Sequence, residues 1–134
     1  MIAFFDTSVH VALLRGSLAT DVVLDRVSGG PVRLSPVVAS ELLRGAVGPA
    51  ARAVERLVAT LVPIEPPSWR RCWLEAGRLL PVVFPDHEPV GLARLQNDML
   101  LALTARHTGA VLVAHDDHFA TLGRHVPFRL LALT

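Results

Sequence analysis

Four acidic residues that lie far apart in the sequence are candidates for one active site: Asp6, Glu41, Asp98 and Asp116. Carboxylates gathered in one pocket repel one another and raise each other's pKa unless cations neutralise them. Oxygen ligands of this kind suit Mg²⁺ or Mn²⁺. Such an ion can bind a phosphate, lower the pKa of a bound water and stabilise a leaving oxygen. We therefore expect an acidic Mg²⁺ or Mn²⁺ site with phosphoryl chemistry.

Asp6 and Asp116 each follow a short apolar run, residues 2–5 and residues 110–114. Runs without polar alternation are typical of strands buried on both faces. If the two strands are parallel, both acids lie at the edge where ligands bind in open α/β sheets. Asp6 could instead cap a helix, and Asp116 or Asp117 could cap the short helix that we expect to end near Leu122.

Asp98 and Glu41 are predicted to lie on helices. The helix around Asp98 is apolar nearly all round, which indicates burial, and a buried carboxylate needs a partner. The alternative is that Asn97 caps this helix and that Asp98 is a first-turn residue favoured by the helix dipole. Glu41 lies on the face of its helix that is expected to pack inward. Its alternative is an exposed ion pair with Arg44.

The remaining pattern alternates strands with helices. It predicts helices over residues 9–14, 18–27, 36–45, 49–60, 67–80 and from Leu92 or Asn97 to His107, strands over 2–5, 32–34, 61–64 and 110–114, and a loop over 81–89. This order predicts an α/β fold with three layers, in which a mainly parallel sheet is flanked by helices. The chain of 134 residues is expected to form a single domain over residues 1–134.

Composition excludes several classes of function. All 13 basic residues are arginine, so no P-loop lysine or Schiff-base lysine is present. The single cysteine, Cys72, excludes an internal disulfide and a Cys-rich zinc site, and we expect it to be a small core residue. No apolar run is long enough to cross a membrane and no signal peptide is evident, so we expect a cytoplasmic protein.

Three segments together resemble the PIN-domain ribonucleases, and in particular the VapC-type toxins of bacterial toxin-antitoxin pairs. They are Asp6-Thr7-Ser8 after the first strand, Glu41-Leu42 after Ser35, and the block from Asn97-Asp98 through Gly109 to His115-Asp116 and His118-Phe119. The resemblance implies that Asp6, Glu41, Asp98 and Asp116, rather than Asp117, form the catalytic and metal-binding set. It also implies that Thr7 or Ser8 supplies a hydroxyl beside the first acid.

Two positions depart from the family pattern. The family usually has Thr or Ser at the position of Ala114, and often has Asp at the position of His118. The resemblance implies a metal-dependent endoribonuclease acting as a toxin on RNA, held silent by a cognate antitoxin whose chain covers the acidic pocket. The departures motivate an alternative, a non-catalytic PIN-like module that binds RNA or a protein. High apolar content further favours a homodimer.

Other residues have weaker interpretations. His115 is expected to contact the phosphate, if it has any role. Trp69 and Trp73 share a helix with Arg70 and Arg71, where packing or a subunit contact is favoured over a nucleic-acid surface. The remaining histidines are expected to be surface or helix-capping residues: His10, His87, His107 and His125.

Overall fold

A four-stranded parallel sheet forms the centre of the protein. The computed structural model describes residues 1–115 and 118–133, without the side chains of residues 89, 90 and 94. The strands are β1 (Ala3–Phe5), β2 (Val32–Arg33), β3 (Val111–Ala114) and β4 (Arg129–Ala132), in the order β2-β1-β3-β4. Every neighbouring pair of strands is parallel. The predicted α/β fold with a parallel sheet is confirmed.

Helices connect and cover these strands. They are α1 (Thr7–Arg15), α2 (Thr20–Arg26), α3 (Pro36–Gly45), α4 (Pro49–Thr60), α5 (Trp69–Val83), α6 (Pro89–Thr108) and α7 (His118–Gly123). Ser35 caps α3 by accepting a hydrogen bond from the Val37 N–H, and Pro36 takes the first helical position, as the sequence predicts. No described helix is long and apolar enough to cross a membrane.

The sheet separates two layers of helices. Phe4 and Leu112 point to the side covered by α3, α5, α6 and α7. Phe5 and Val113 point to the other side, where Val9 of α1, Val23 of α2 and Val27 at the C-cap of α2 cover them. This alternation follows from the two-residue period of a strand, and it produces the three layers that the sequence predicts.

Helix α6 lies in the core and determines the surroundings of Asp98. Its residues 99–103 are fully buried. The helix ends at Gly109, which has the left-handed conformation common at helix ends, with φ of 76°. It begins at Pro89, not near Leu92 or Asn97 as predicted, because proline is well suited to a first helical position. Asp98 is therefore not a first-turn residue, and the helix-dipole alternative is wrong.

The strand predicted over residues 61–64 is wrong. The structure has an isolated parallel bridge there, between Leu34 and Pro63. Its two hydrogen bonds run from the Leu34 N–H to the Val62 carbonyl and from the Ile64 N–H to the Leu34 carbonyl, both at 3.0 Å. Pro63 has no N–H, and further prolines follow at positions 66 and 67, so the ladder does not extend.

Two further elements differ from the prediction. Helix α5 runs to Val83 and contains Pro81, although residues 81–89 were predicted as a loop. A proline inside a helix costs about 3 kcal/mol, which the burial of Leu80 and Val83 offsets. Strand β4 was not predicted, although residues 130–133 form an apolar run as long as the one that marks β1.

Candidate active site

Asp6 lies at the carboxyl edge of the sheet, next to β3. Its backbone N–H donates to the Val113 carbonyl at 2.9 Å, which continues the parallel pairing of β1 with β3. The parallel arrangement on which the prediction depended is therefore present. Asp116 and Asp117 lie outside the described residues, so the choice of Asp116 as the fourth acid stays a prediction.

The Asp6 carboxylate is fixed by the residues that follow it. One oxygen, Oδ1, accepts the Thr7 N–H at 2.8 Å, and the other, Oδ2, accepts the Ser8 hydroxyl at 3.0 Å. Asp6 is thus the N-cap of α1, so the capping alternative is correct. Capping does not exclude a role in a site, because the same hydrogen bonds orient a carboxylate that is 7% exposed.

Glu41 is joined to this carboxylate through Thr7. The Thr7 hydroxyl donates to Glu41 Oε1 at 3.1 Å, which connects the start of α1 to the middle of α3. Burial is the main cause that raises the pKa of Glu41, and the charge of Asp6 adds to it, while the Thr7 hydrogen bond and Arg44 act in the opposite direction. The predicted alternative, an exposed pair with Arg44, does not describe this partly buried group.

Asp98 lies near the middle of α6 with its side chain 25% exposed, and it faces the start of α7. His118 Nδ1 is 3.7 Å from Asp98 Oδ2. The position at which the family often has Asp therefore carries a histidine that can pair with Asp98 when it is protonated. His115 is exposed, and its Nδ1 donates to the Leu133 carbonyl at 3.1 Å, which ties it to the end of β4.

The donors of this region are oxygen atoms of carboxylates and hydroxyls, which suit a hard divalent cation. Two of these carboxylates, Asp6 and Glu41, are close enough for the charge of Asp6 to raise the pKa of Glu41. Within residues 1–115 and 118–133, no three or more His, Cys, Asp or Glu side chains form a group that could hold a metal ion. The convergence of all four acids stays a prediction.

Two cavities open on either side of α3. The first, here called the alanine groove, has a volume of about 370 Å³ and lies between α1, α3 and α4. Thr7 and Glu41 line it together with small apolar residues such as Ala50 and Ala53. The second, here called the tryptophan pocket, has a volume of about 390 Å³, and its lining includes Trp69 and Trp73.

His10 was expected at the surface or at a helix cap, and this expectation is wrong. It is 3% exposed, its ring packs 5.2 Å from the Phe5 ring, and its Nε2 has no hydrogen-bond partner among the described residues. Burial lowers its pKa to about 4. The signal in the sequence is its place between Val9 and Val11, inside an apolar helix.

Two other predictions about this part of the chain have clear outcomes. Cys72 is 1% exposed and is a core residue, as predicted. His107 is not a free surface residue: its Nε2 lies 3.1 and 3.2 Å from the two carboxylate oxygens of Glu75, which connects α6 to α5. His87 and His125 are exposed.

Comparisons with known proteins agree with this fold. A search of curated proteins found no significant match. Solved structures with the same fold include VapBC-1 from nontypeable Haemophilus influenzae, with 23% identity, 98% of each chain covered and a TM-score of 0.69. Another is VapBC-5, a toxin-antitoxin system of Mycobacterium tuberculosis, with 20% identity, 98% of each chain covered and a TM-score of 0.62. A third is VapBC2 from Rickettsia felis bound to promoter DNA, with 16% identity, 100% of each chain covered and a TM-score of 0.66. The family model described as PIN domain matches residues 3–124, and the chain therefore belongs to the PIN-domain family.

Proposed function

We propose that this protein is a Mg²⁺- or Mn²⁺-dependent endoribonuclease that acts as the toxin of a toxin-antitoxin pair. The observation that carries the proposal is the connected set at the sheet edge, in which Thr7 joins the buried Asp6 carboxylate to Glu41. In this proposal Asp6, Asp98 and Asp116 hold the metal directly or through waters. The metal, when bound, activates a water and stabilises charge on the phosphate.

Glu41 orients the attacking water and accepts its proton. A carboxyl with a raised pKa is a better proton acceptor than an exposed one, and the Thr7 hydroxyl fixes its orientation. The water oxygen forms a bond to phosphorus, the bond from phosphorus to the 3′ oxygen breaks, and the 3′ oxygen takes a proton from solvent. The products are a 5′-phosphate and a 3′-hydroxyl.

The antitoxin partner is supported by the alanine groove. Its lining is mostly small and apolar, with Val11, Leu42 and Val54 beside the alanines, and it opens onto Thr7 and Glu41. An apolar segment of a partner protein seated there would cover Glu41 and keep RNA away from it. One solved structure with this fold, VapBC-5, is described as a toxin-antitoxin system, and this description supports an antitoxin as the partner of this chain.

We also propose that the protein is cytoplasmic and forms a homodimer. Large apolar side chains are exposed on several helices, and contiguous exposed apolar surface often marks an interface between proteins. They include Val22 on α2, Leu43 on α3, and Leu74 and Val82 on α5.

Incubation of the purified protein with structured RNA in the presence of Mg²⁺ or Mn²⁺ tests the enzymatic function. We expect cleavage that EDTA abolishes and that Asp98→Asn reduces to background. Asp25→Asn, which changes an exposed carboxylate on α2, is the matched control and should cleave normally. Cleavage that persists in EDTA, or that Asp98→Asn leaves unchanged, would refute the proposal.

A second candidate function is a non-catalytic PIN-like module that binds RNA or a protein. Two observations favour it: Ala114 offers no hydroxyl, and His118 stands beside Asp98 in place of a further carboxylate. RNA binding without turnover in both Mg²⁺ and Mn²⁺ would support this function over the nuclease.

A further inference from the structure

The tryptophan pocket lies between α3, α5 and α6 and combines aromatic with polar side chains. Trp69 and Trp73 come from α5, Ser40 and Arg44 from α3, and Asn97 from α6. Its volume of about 390 Å³ exceeds what one planar heterocycle needs. None of the described residues that line it carries a carboxylate, in contrast to the neighbouring acidic site.

Two indole side chains line the pocket. Trp73 is 48% exposed, which is high for so large an apolar side chain. Trp69 is partly buried, and its indole N–H donates to Glu65 Oε1 at 2.9 Å, a bond that holds the ring in place. Positioned aromatic faces stack unpaired nucleic-acid bases, whatever their sequence.

The polar residues match the remaining parts of a nucleotide. The Asn97 amide can both donate and accept, and the Ser40 hydroxyl can do the same, so both can bind the edge of a base. Arg44 presents a guanidinium, which binds phosphate or stacks on a base. The pocket thus contains side chains that can bind each part of a nucleotide: the face of the base, its edge and the phosphate.

The pocket is next to the proposed catalytic residues along two helices. Ser40 immediately precedes Glu41 on α3, and Asn97 immediately precedes Asp98 on α6. Arg44 lines the pocket and is also close enough to Glu41 for its charge to act on that carboxyl. A nucleotide bound here would place its neighbouring phosphate at the edge of the acidic site.

We infer that the tryptophan pocket binds an unstacked nucleobase of the RNA beside the bond that is cut. The inference rests on the proposed nuclease function for the identity of the ligand. It assigns RNA recognition to residues that are distinct from the acidic set, and it gives Trp69 and Trp73 a role other than a subunit contact.

Tryptophan fluorescence tests this inference directly. The chain has two tryptophans and no tyrosine, so its indole emission comes from this pocket alone. Metal-free protein is titrated with AMP, CMP, GMP and UMP, with excitation at the red edge of the indole band. We expect saturable quenching by at least one nucleotide and none by ribose 5-phosphate, which carries the phosphate without a base.

Single substitutions locate the ligand. Trp73→Ala, followed through the emission of Trp69, should weaken nucleotide binding about tenfold, a typical loss for one stacking partner. Leu74→Ala, at the next and similarly exposed position of α5, should leave binding unchanged. Arg44→Ala should weaken binding and reduce its dependence on salt, whereas Arg78→Ala on the exposed face of α5 should not.

The outcomes separate this inference from the proposed function. Metal-dependent RNA cleavage without any nucleotide quenching would overturn the pocket alone. Quenching without cleavage would support the pocket and contradict the nuclease. If Trp73→Ala converts a dimer to a monomer in sedimentation and nucleotides do not quench the wild type, the tryptophans form a subunit contact and the inference is wrong.

Discussion

The two halves of the candidate site are built in different ways. The first half, here Asp6, Thr7, Ser8 and Glu41, is connected by side-chain hydrogen bonds of 2.8, 3.0 and 3.1 Å. The second half, here Asp98 and His118, is joined at 3.7 Å, and the His118 side chain is 58% exposed. Exposed ion pairs contribute little to stability. The first half is therefore preorganised, while the second depends on the positions of α6 and α7.

Burial explains much of this difference. Asp6 directly follows β1, whose residues are all buried. Its carbonyl also accepts hydrogen bonds from the N–H groups of Val9 and His10 in the first turn of α1. His10, which is 3% exposed and lies four residues after Asp6, is also part of this buried region. Asp98 emerges from a buried helix, and the His118 side chain that lies 3.7 Å from it is 58% exposed. Substitutions in the two halves should therefore have different effects.

The largest expected effect is on the rate of RNA cleavage, and it distinguishes proton transfer by the first half from metal binding by the second. Glu41→Gln should lower the rate of RNA cleavage by about 10²–10⁴-fold, because the variant cannot accept a proton from water. It should still show the rise in melting temperature that Mn²⁺ gives the wild type, whereas Asp98→Asn should lose that rise. Single-turnover cleavage and melting with and without Mn²⁺ measure both effects.

The pH profile adds a second measure of Glu41. Since burial and Asp6 raise the pKa of Glu41, the wild-type rate should increase with pH through that raised pKa and level off above it. Glu55→Gln, an exposed change on α4, is the matched control. Near wild-type cleavage by Glu41→Gln would show that the proton acceptor lies elsewhere.

An intermediate effect is expected from His10, which is buried against Phe5 and lies on the same helix as Thr7 and Ser8. Burial lowers its pKa to about 4, so as pH falls below about 6.5 the unfolded chain binds the proton before the folded protein does. Stability is thus retained above about pH 6.5 and lost progressively towards pH 4, by about 3 kcal/mol in total. His10→Leu should remove most of this loss, as measured by urea denaturation across that pH range.

His125→Leu, which changes an exposed histidine, should leave the acid sensitivity of the wild type unchanged. If His10→Leu loses stability with falling pH as steeply as the wild type, then His10 is protonated in the folded protein. The contrast between a buried and an exposed half would then be weaker than the structure indicates.

The smallest expected effect concerns the second half. His118→Ala should change the free energy of unfolding by less than about 0.5 kcal/mol, because its contact with Asp98 is long and exposed. Thr7→Val, which removes a partly buried hydrogen bond from the first half, should cost about 1 kcal/mol. Thermal denaturation of both variants measures these changes. A larger loss of stability for His118→Ala than for Thr7→Val would contradict the conclusion that the first half is the more firmly held.

The sequence by itself determined the features that depend on neighbouring residues. The apolar runs that form β1 and β3 are continuous in the sequence, and the capping of α1 by Asp6 and of α3 by Ser35 uses partners one or two residues away. Parallel pairing of the two strands then places Asp6 beside β3. Local chemistry and strand topology were sufficient to predict the position of Asp6 at the sheet edge, whereas the hydrogen bond from Thr7 to Glu41 depends on the packing of α1 against α3.

Tertiary structure decided the features that depend on which faces meet. The burial of His10, the contact of Asp98 with His118, and the pairing of β4 with β3 each join residues whose local sequence is compatible with other arrangements. The same is true of Trp69 and Trp73, whose helical spacing shows that they share a face but not that Arg44 and Asn97 complete a pocket with them. A local pattern fixes the direction in which a side chain points, whereas only the packing of distant elements fixes what it contacts.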